Sequence, residues 1–132
     1  MDQSLPGVSP AASIAPGALV APGARIGPGC RIGPGCIVGP DCVLDEGVVL
    51  DAHVVLDGHA HLGAGVRVFP FATIGLPPQD LRYKGEPTRV VIGPRTIVRE
   101  HVTIHRGSVS GVGTTRIGAD CLIMCVAHVG HD

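Results

Sequence analysis

Four of the seven histidines lie late in the 132-residue chain, at His101, His105, His128 and His131. A neutral imidazole near pH 7 can accept a proton from a hydroxyl group, and an adjacent carboxylate can fix its tautomer and stabilise the imidazolium. His131 and Asp132 supply these two groups side by side, which suggests general-base catalysis. Because neighbouring side chains on a strand diverge, a polar edge exposed to water remains the alternative interpretation.

Zinc binding is the second chemistry that these histidines allow. His101 with His105, and His128 with His131, could each supply two imidazole ligands. The two pairs are far apart in sequence, and the spacing does not identify a third ligand. We therefore predict no resident metal and no cofactor, and keep a zinc-dependent enzyme like the gamma-class carbonic anhydrases as a lesser alternative.

A dense mixture of charges occupies the segment QDLRYKGEPTR, residues 79–89, although charged residues make up only 16% of the chain. The carboxylate of Asp80 could accept hydrogen bonds from sugar hydroxyls, and the planar guanidinium of Arg82 could bind a phosphate. A solvated surface loop is the alternative. No GxGxxG or P-loop pattern accompanies the segment, so a phosphate would be bound by side chains.

A strictly periodic scaffold must position these groups. An aliphatic residue recurs at every sixth position from Val8 to Ile74, twelve times without a miss, and proline follows most of them two positions later. Proline at this spacing excludes an α-helix, while neighbouring glycines supply the backbone freedom of a corner. Each hexad is therefore predicted to be a short strand and a turn, and the repeated hexads predict an all-β parallel β-helix.

The composition agrees with a narrow solenoid. The chain has 20 Gly and 12 Pro, three aromatic residues and 45% hydrophobic residues. One aliphatic and one small side chain per hexad leave no space for large rings, and the apolar content is too high for a disordered segment. The small position includes Cys30, Cys36, Cys42 and Cys121, which we expect to be buried apolar residues rather than disulfide or metal partners.

Charge and hydropathy patterning exclude two classes of partner. A net charge of −1 and the scarcity of aromatic rings argue against nucleic-acid binding. Pro and Gly interrupt every stretch long enough to cross a bilayer, and no secretory signal precedes the hexads. We therefore predict no membrane insertion and a cytoplasmic location.

The hexad register breaks twice, which predicts loop excursions near 75–91 and 107–116, before hexads resume at Ile92 and Ile117. Insertions in a solenoid project as loops from one face, commonly the binding face, so function is expected in these two loops. The final hexad lacks the polar cap that solenoids need. We therefore expect residues 1–132 to be a single β-helix domain that is truncated at its C-terminal end.

Three motifs, IGLPPQDLRYKGEPTRVVIG, VREHVTIHRGSVSGVGTTRIG and AHVGHD, together with the hexads, resemble the UDP-N-acetylglucosamine O-acyltransferases, which begin bacterial lipid A synthesis. The resemblance runs over nearly the whole chain and covers the N-terminal half of the family's pattern. It implies a left-handed parallel β-helix that forms a homotrimer with active sites between subunits. It also implies transfer of a 3-hydroxyacyl chain from acyl carrier protein to the glucosamine 3-hydroxyl of UDP-N-acetylglucosamine.

The same resemblance assigns roles to particular residues. His131 matches the family's general base and Asp132 its carboxylate partner, while Asp80, His105 and His128 match substrate-contacting residues.

Arg82 stands where the family usually has lysine, which preserves the charge but not the compact ammonium geometry. The family's oxyanion-binding amide, its acyl-measuring residues and its C-terminal helical region have no counterpart in the 132 residues. We therefore expect the chain alone to be poorly active. A non-catalytic trimeric β-helix scaffold or a substrate-binding remnant is the main alternative.

Overall fold

The computed structural model describes residues 6–132, which form seventeen short β-strands. Among these residues there is no helix long and apolar enough to cross a membrane. The strands are β1 (Ser13–Ile14), β2 (Leu19–Val20), β3 (Arg25–Ile26), β4 (Arg31–Ile32), β5 (Ile37–Val38), β6 (Val43–Leu44), β7 (Val49–Leu50), β8 (Val55–Leu56), β9 (His59–Leu62), β10 (Arg67–Val68), β11 (Thr73–Leu76), β12 (Arg89–Ile92), β13 (Ile97–Val98), β14 (Thr103–His105), β15 (Thr114–Ile117), β16 (Leu122–Ile123) and β17 (His128–Val129).

These strands stack into three parallel sheets. Sheet A has the order β3, β6, β9, β12, β15; sheet B has β1, β4, β7, β10, β13, β16; and sheet C has β2, β5, β8, β11, β14, β17. Each coil contributes one strand to sheets B, C and A in turn. Residues 18 positions apart pair in register, as Ile14 does with Ile32 and Ile32 with Leu50. The chain is therefore a left-handed parallel β-helix, as predicted.

Alternation of side chains along each strand builds the core. In the sequence Ala24-Arg25-Ile26 the arginine is exposed, whereas Ala24 and Ile26 are 1% and 2% exposed. Successive side chains of a strand point to opposite faces, so every hexad sends one small and one aliphatic residue inwards. None of the buried hydrophobic residues in the described part of the chain is Phe, Tyr or Trp, in agreement with the expected narrow interior.

Three of the four cysteines in the small position behave as predicted. Cys30, Cys36 and Cys42 are fully buried and unpaired. Burial raises the pKa of the Cys42 thiol to about 11, so the thiol is neutral at physiological pH. Cys121 is only partly buried, because it precedes β16, which lies at one end of sheet B.

Two insertions enlarge the coils, and the flanking strands still pair, with one register shift between Ile74 and Leu76 where β11 pairs with β14. Ile74 pairs with Ile104, 30 positions later, and Ile104 pairs with Val129, 25 positions later. The residues beyond the 18 of a regular coil form two loops outside the β-helix, which are loop 1, residues 77–88, and loop 2, residues 106–113. Both loops connect a strand of sheet C to the next strand of sheet A, so they project from one edge, here called the C–A edge. They are shorter than predicted because β11, β12 and β15 each extend to four residues.

Gly75 lies where β11 leads into loop 1, with φ at 90°. A Cβ atom at this position would collide with the carbonyl oxygen of Asp57 in the preceding coil. Gly85, in loop 1, has nearly the same φ of 88°, but a Cβ atom there would meet no heavy atom within 4 Å. A comparison of substitutions at the two glycines therefore distinguishes the effect of an unfavourable φ from the effect of steric crowding.

We predict that Gly75→Ala lowers the free energy of unfolding by about 1–3 kcal/mol more than Gly85→Ala, the typical range for overpacking a tight site. Both variants place alanine at an unfavourable φ, but only Gly75→Ala adds a collision with the neighbouring coil. Urea unfolding of the two variants measures the difference. Equal losses would contradict the close approach of the coils at Gly75.

Candidate functional site

The C–A edge brings together segments from three successive coils. Loop 1, loop 2 and the stretch 130–132 follow β11, β14 and β17, which are neighbours in sheet C. The backbone joins the bases of the loops, because the N–H of Arg106 donates to the carbonyl oxygen of Leu76 at 3.0 Å. Arg89 likewise accepts from the N–H of Gly107 and donates to the carbonyl oxygen of Gly113, both at 3.1 Å. Loop 2 is thus fixed against the base of loop 1.

The carboxylate of Asp132 is the main hydrogen-bond acceptor of the site. It accepts from the backbone N–H of Ser108 at 3.0 and 3.1 Å, from the N–H of Gly113 at 2.8 Å and from Ser108 Oγ at 2.6 Å. His131 Nδ1 lies 2.6 Å from Oδ2. The backbone N–H of Asp132 donates to Thr115 Oγ1 at 2.8 Å. Asp132 therefore binds residues from both ends of loop 2.

These hydrogen bonds keep Asp132 ionised. Burial raises the pKa of this carboxyl, but the hydrogen bonds from Ser108, His131 and the loop 2 backbone outweigh burial and hold the pKa well below its usual range. A lowered carboxyl pKa stabilises the fold above pH about 4, and that contribution is lost as the pH falls through the lowered value. The carboxylate is thus charged throughout the neutral range.

The tautomer of His131 follows from this contact. A carboxylate can only accept hydrogen bonds, so Nδ1 of His131 carries a proton and donates a hydrogen bond to Asp132 Oδ2. The other ring nitrogen, Nε2, then has the free lone pair of a general base. The side chain is 33% exposed and lies, with Asp132, against a cavity of about 620 Å³ that is also lined by Thr115 and Arg116. His131 can therefore reach a bound molecule.

His105 and His128 form a second pair of histidines at this edge. Their rings meet edge to face with centroids 4.8 Å apart, and His128 Nδ1 lies 2.7 Å from Thr103 Oγ1. His105 is only 9% exposed, and its Nδ1 has no hydrogen-bond partner within residues 6–132. Burial, followed by the nearby His128 and His131, lowers the pKa of His105. His105 is therefore neutral at pH 7.

Asp80 and Arg82 bind each other instead of lying free. Arg82 donates from Nε to Asp80 Oδ1 at 3.1 Å and from Nη2 to Oδ2 at 2.9 Å, and its backbone N–H also reaches Oδ1 at 2.9 Å. Hydrogen bonds from Arg82 hold the pKa of Asp80 well below its usual range. The Arg82 side chain is 76% exposed, whereas that of Asp80 is 10% exposed. A phosphate bound by Arg82 must therefore share the guanidinium with Asp80.

Arg106 fastens loop 1 to the β-helix. Its guanidinium donates to Tyr83 Oη at 2.9 Å and to the carbonyl oxygen of Gly75 at 2.8 Å, and it lies 3.7 Å from Asp57 Oδ2. The Tyr83 hydroxyl in turn donates to the carbonyl oxygen of Glu86. The Arg106 side chain is 13% exposed, so these contacts are shielded from solvent. One side chain thus joins loop 1 to two coils.

The structure separates His101 from the other three late histidines. His131 and Asp132 contact each other, and His105 and His128 lie together at the C–A edge. His101 lies in the turn before β14, where its ring stacks on Phe71 with centroids 5.2 Å apart. Within residues 6–132, no group of three or more His, Cys, Asp or Glu side chains is arranged to hold a metal ion.

Several residues of the network were not identified from sequence. Ser108, Ser110, Gly113 and Thr115 belong to or follow a loop that was expected to be functional only as a whole. The available signal was the concentration of hydroxyl residues in SVSGVGTT, within a chain whose hexads are largely apolar. That signal marks the loop but does not tell which hydroxyl meets which carboxylate.

Comparisons with known proteins show what the chain is similar to. The family "Bacterial transferase hexapeptide (six repeats)" matches residues 11–45. An acyl-(acyl-carrier-protein)-UDP-N-acetylglucosamine O-acyltransferase from Anaeromyxobacter sp. (strain Fw109-5) is 58% identical over 71 residues, which are 54% of this chain and 28% of that protein. The enzyme of the same name from Caulobacter vibrioides is 55% identical over 71 residues, or 54% of this chain and 27% of its own length.

Solved structures extend the match over most of the chain. A UDP-N-acetylglucosamine acyltransferase from Campylobacter jejuni is 34% identical, with a TM-score of 0.86 over 91% of this chain and 46% of that one. The resemblance inferred from the motifs is thus confirmed. The chain spans about half the length of the solved relative, and the matched stretch spans about a quarter of the curated ones.

We predict that Arg106→Gln accelerates trypsin cleavage after Arg82 and Lys84 by at least about tenfold. The substitution removes two hydrogen bonds from a charged donor, each with a net contribution of roughly 1.5–3 kcal/mol, and cleavage follows the population of the opened loop. Arg95→Gln is the matched control, because Arg95 pairs with Asp120 in a turn between sheets A and B. Mass spectrometry of the early fragments measures both rates. Equal acceleration by the two variants would show that Arg106 does not fasten loop 1.

Proposed function

We propose that this chain, a homologue of the N-terminal half of the UDP-N-acetylglucosamine O-acyltransferases, forms the part of such an enzyme that binds the UDP-sugar and carries the general base. The proposed reaction transfers a 3-hydroxyacyl chain from acyl carrier protein to the glucosamine 3-hydroxyl of UDP-N-acetylglucosamine. This reaction belongs to lipid A synthesis. The observation that carries the proposal is the contact of His131 with an ionised, fully hydrogen-bonded Asp132.

The proposed chemistry needs one proton acceptor placed at the sugar hydroxyl. His131 Nε2 takes the proton of the 3-hydroxyl as the sugar oxygen forms a bond to the thioester carbonyl carbon. The carbon–sulfur bond then breaks, and the proton passes from the imidazolium to the departing thiolate of the acyl carrier protein. Asp132 stabilises the imidazolium between these steps, because its carboxylate accepts a hydrogen bond from the Nδ1–H group throughout.

The neighbouring side chains suit a sugar nucleotide. Asp80 is ionised and can accept sugar hydroxyls, and the exposed guanidinium of Arg82 can bind a phosphate. We also propose a substrate contact for His105, which lies at the same edge and is 9% exposed. We propose that His128, whose ring meets that of His105, completes the substrate contacts.

The proposed assembly is a homotrimer in the cytoplasm, with acyl carrier protein as the acyl donor. Leu19 and Ile37 pair in one row on the outer face of sheet C and are 65% and 46% exposed, which supports the association of copies through this face. We propose that the coils described above belong to a single β-helix domain.

We predict that the chain binds UDP-N-acetylglucosamine saturably in calorimetry and forms acylated sugar slowly when a 3-hydroxyacyl carrier protein is added. His131→Gln lowers this turnover by about 10²- to 10⁴-fold, the usual effect of losing a general base, and leaves binding nearly unchanged. Asp80→Asn weakens binding by about tenfold, because it removes a charged acceptor.

His101→Gln is the matched control, because His101 lies away from the C–A edge, and it should change neither quantity. Product is measured by mass spectrometry. Turnover that survives in His131→Gln would contradict the proposed base. Saturable binding with no turnover in any sample would favour a substrate-binding remnant.

A further inference from the structure

A series of hydrogen-bond contacts joins the two carboxylates of the candidate site. Ser110 Oγ lies 3.2 Å from Asp80 Oδ2 and 3.2 Å from Ser108 Oγ. Ser108 Oγ lies 2.6 Å from Asp132 Oδ2, the same oxygen that is 2.6 Å from His131 Nδ1. Asp80 stands on loop 1, the serines on loop 2, and His131 and Asp132 after β17. The series therefore crosses three coils and links the sugar-binding candidate to the base candidate.

The number of protons determines the direction of these bonds. A hydroxyl has one proton to donate, and at 2.6 Å from a carboxylate Ser108 donates it to Asp132. Ser110 can donate to Asp80 or to Ser108, but not to both. The charged carboxylate of Asp80 is the stronger acceptor, so it receives the Ser110 proton in the free protein. Ser108 is then left without the hydrogen bond that it could accept from Ser110.

Asp132 Oδ2 is shared by two donors. Ser108 Oγ and His131 Nδ1 both lie 2.6 Å from it, so a stronger bond from Ser108 weakens the bond from His131. A hydroxyl that accepts a hydrogen bond becomes a better donor, because neighbouring bonds polarise one another. When Ser110 donates its hydrogen bond to Ser108, the hydrogen bond from His131 Nδ1 to Asp132 therefore weakens.

We propose that Ser108 and Ser110 form a switchable hydroxyl bridge, in which a donor bound to Asp80 redirects the Ser110 proton to Ser108 and weakens the hydrogen bond between His131 and Asp132. The inference rests on the proposed function, which makes Asp80 the acceptor of a sugar hydroxyl and His131 the base. Occupation of Asp80 at loop 1 is thus transmitted to the hydrogen bond that orients the His131 ring, and both serines are positioning residues.

The bridge can be tested in the chain without a ligand, by proton NMR of the His131 Nδ1–H. Asp80→Ala removes the competing acceptor, so the Ser110 proton turns to Ser108 and the His131 resonance moves upfield. In the double variant Asp80→Ala/Ser110→Ala the resonance returns to the wild-type position, because no hydroxyl remains to polarise Ser108. Ser13→Ala, on β1, is the control and leaves the resonance unmoved.

A second arm adds UDP-N-acetylglucosamine, with calorimetry on the same samples. We expect the wild-type resonance to move upfield on binding, Ser110→Ala to abolish the movement and Ser110→Thr, which keeps the hydroxyl, to retain it. An unmoved resonance in Asp80→Ala, or equal movement in the double variant, would overturn the bridge. If the resonance moves in ligand-free Asp80→Ala but the wild-type chain does not bind the UDP-sugar, the bridge is supported and the proposed function is contradicted.

Discussion

Backbone pairing between successive coils is the constraint on which the rest of the molecule depends. Buried N–H and C=O groups must find partners, so every coil has to return its three strands to the same three sheets. Ile74, Ile104 and Val129 stack in register although they are 30 and 25 positions apart in sequence. Extra residues can leave such a stack only at its corners. Both insertions leave at the C–A edge, which concentrates the polar groups of three coils in one place.

The loops at that edge lie outside the sheets, and two charged side chains fix them by hydrogen bonds instead. The Asp132 carboxylate binds the backbone N–H groups of Ser108 and Gly113, near the two ends of loop 2. Arg106 binds Tyr83 of loop 1 and the carbonyl oxygen of Gly75. The proposed catalytic carboxylate therefore also has a structural task. This dual use explains how a site built on loops can keep a defined geometry beside His131.

Much of this architecture could be predicted from the sequence, because a six-residue period fixes which side chains face inwards. The count of hexads also places each insertion after a strand of sheet C. The pairing of Arg82 with Asp80 could not be predicted, since a loop has no periodicity that determines its conformation. Ser108 and Ser110 escaped prediction for the same reason. The roles of His131, Asp132, Asp80, His105 and His128 in catalysis and binding stay predictions, which the geometry supports by bringing these residues to one edge.

The central claim is that the Asp132 carboxylate assembles the site by holding loop 2, and amide hydrogen exchange tests it most directly. In the wild-type chain the amides of Ser108 and Gly113 are predicted to exchange slowly, and Asp132→Ala is predicted to accelerate both by at least about tenfold. The amide of Thr103, which donates to the carbonyl oxygen of Ala127 within sheet C, serves as the internal reference and keeps its rate. Unchanged protection of Ser108 and Gly113 in Asp132→Ala would contradict the account.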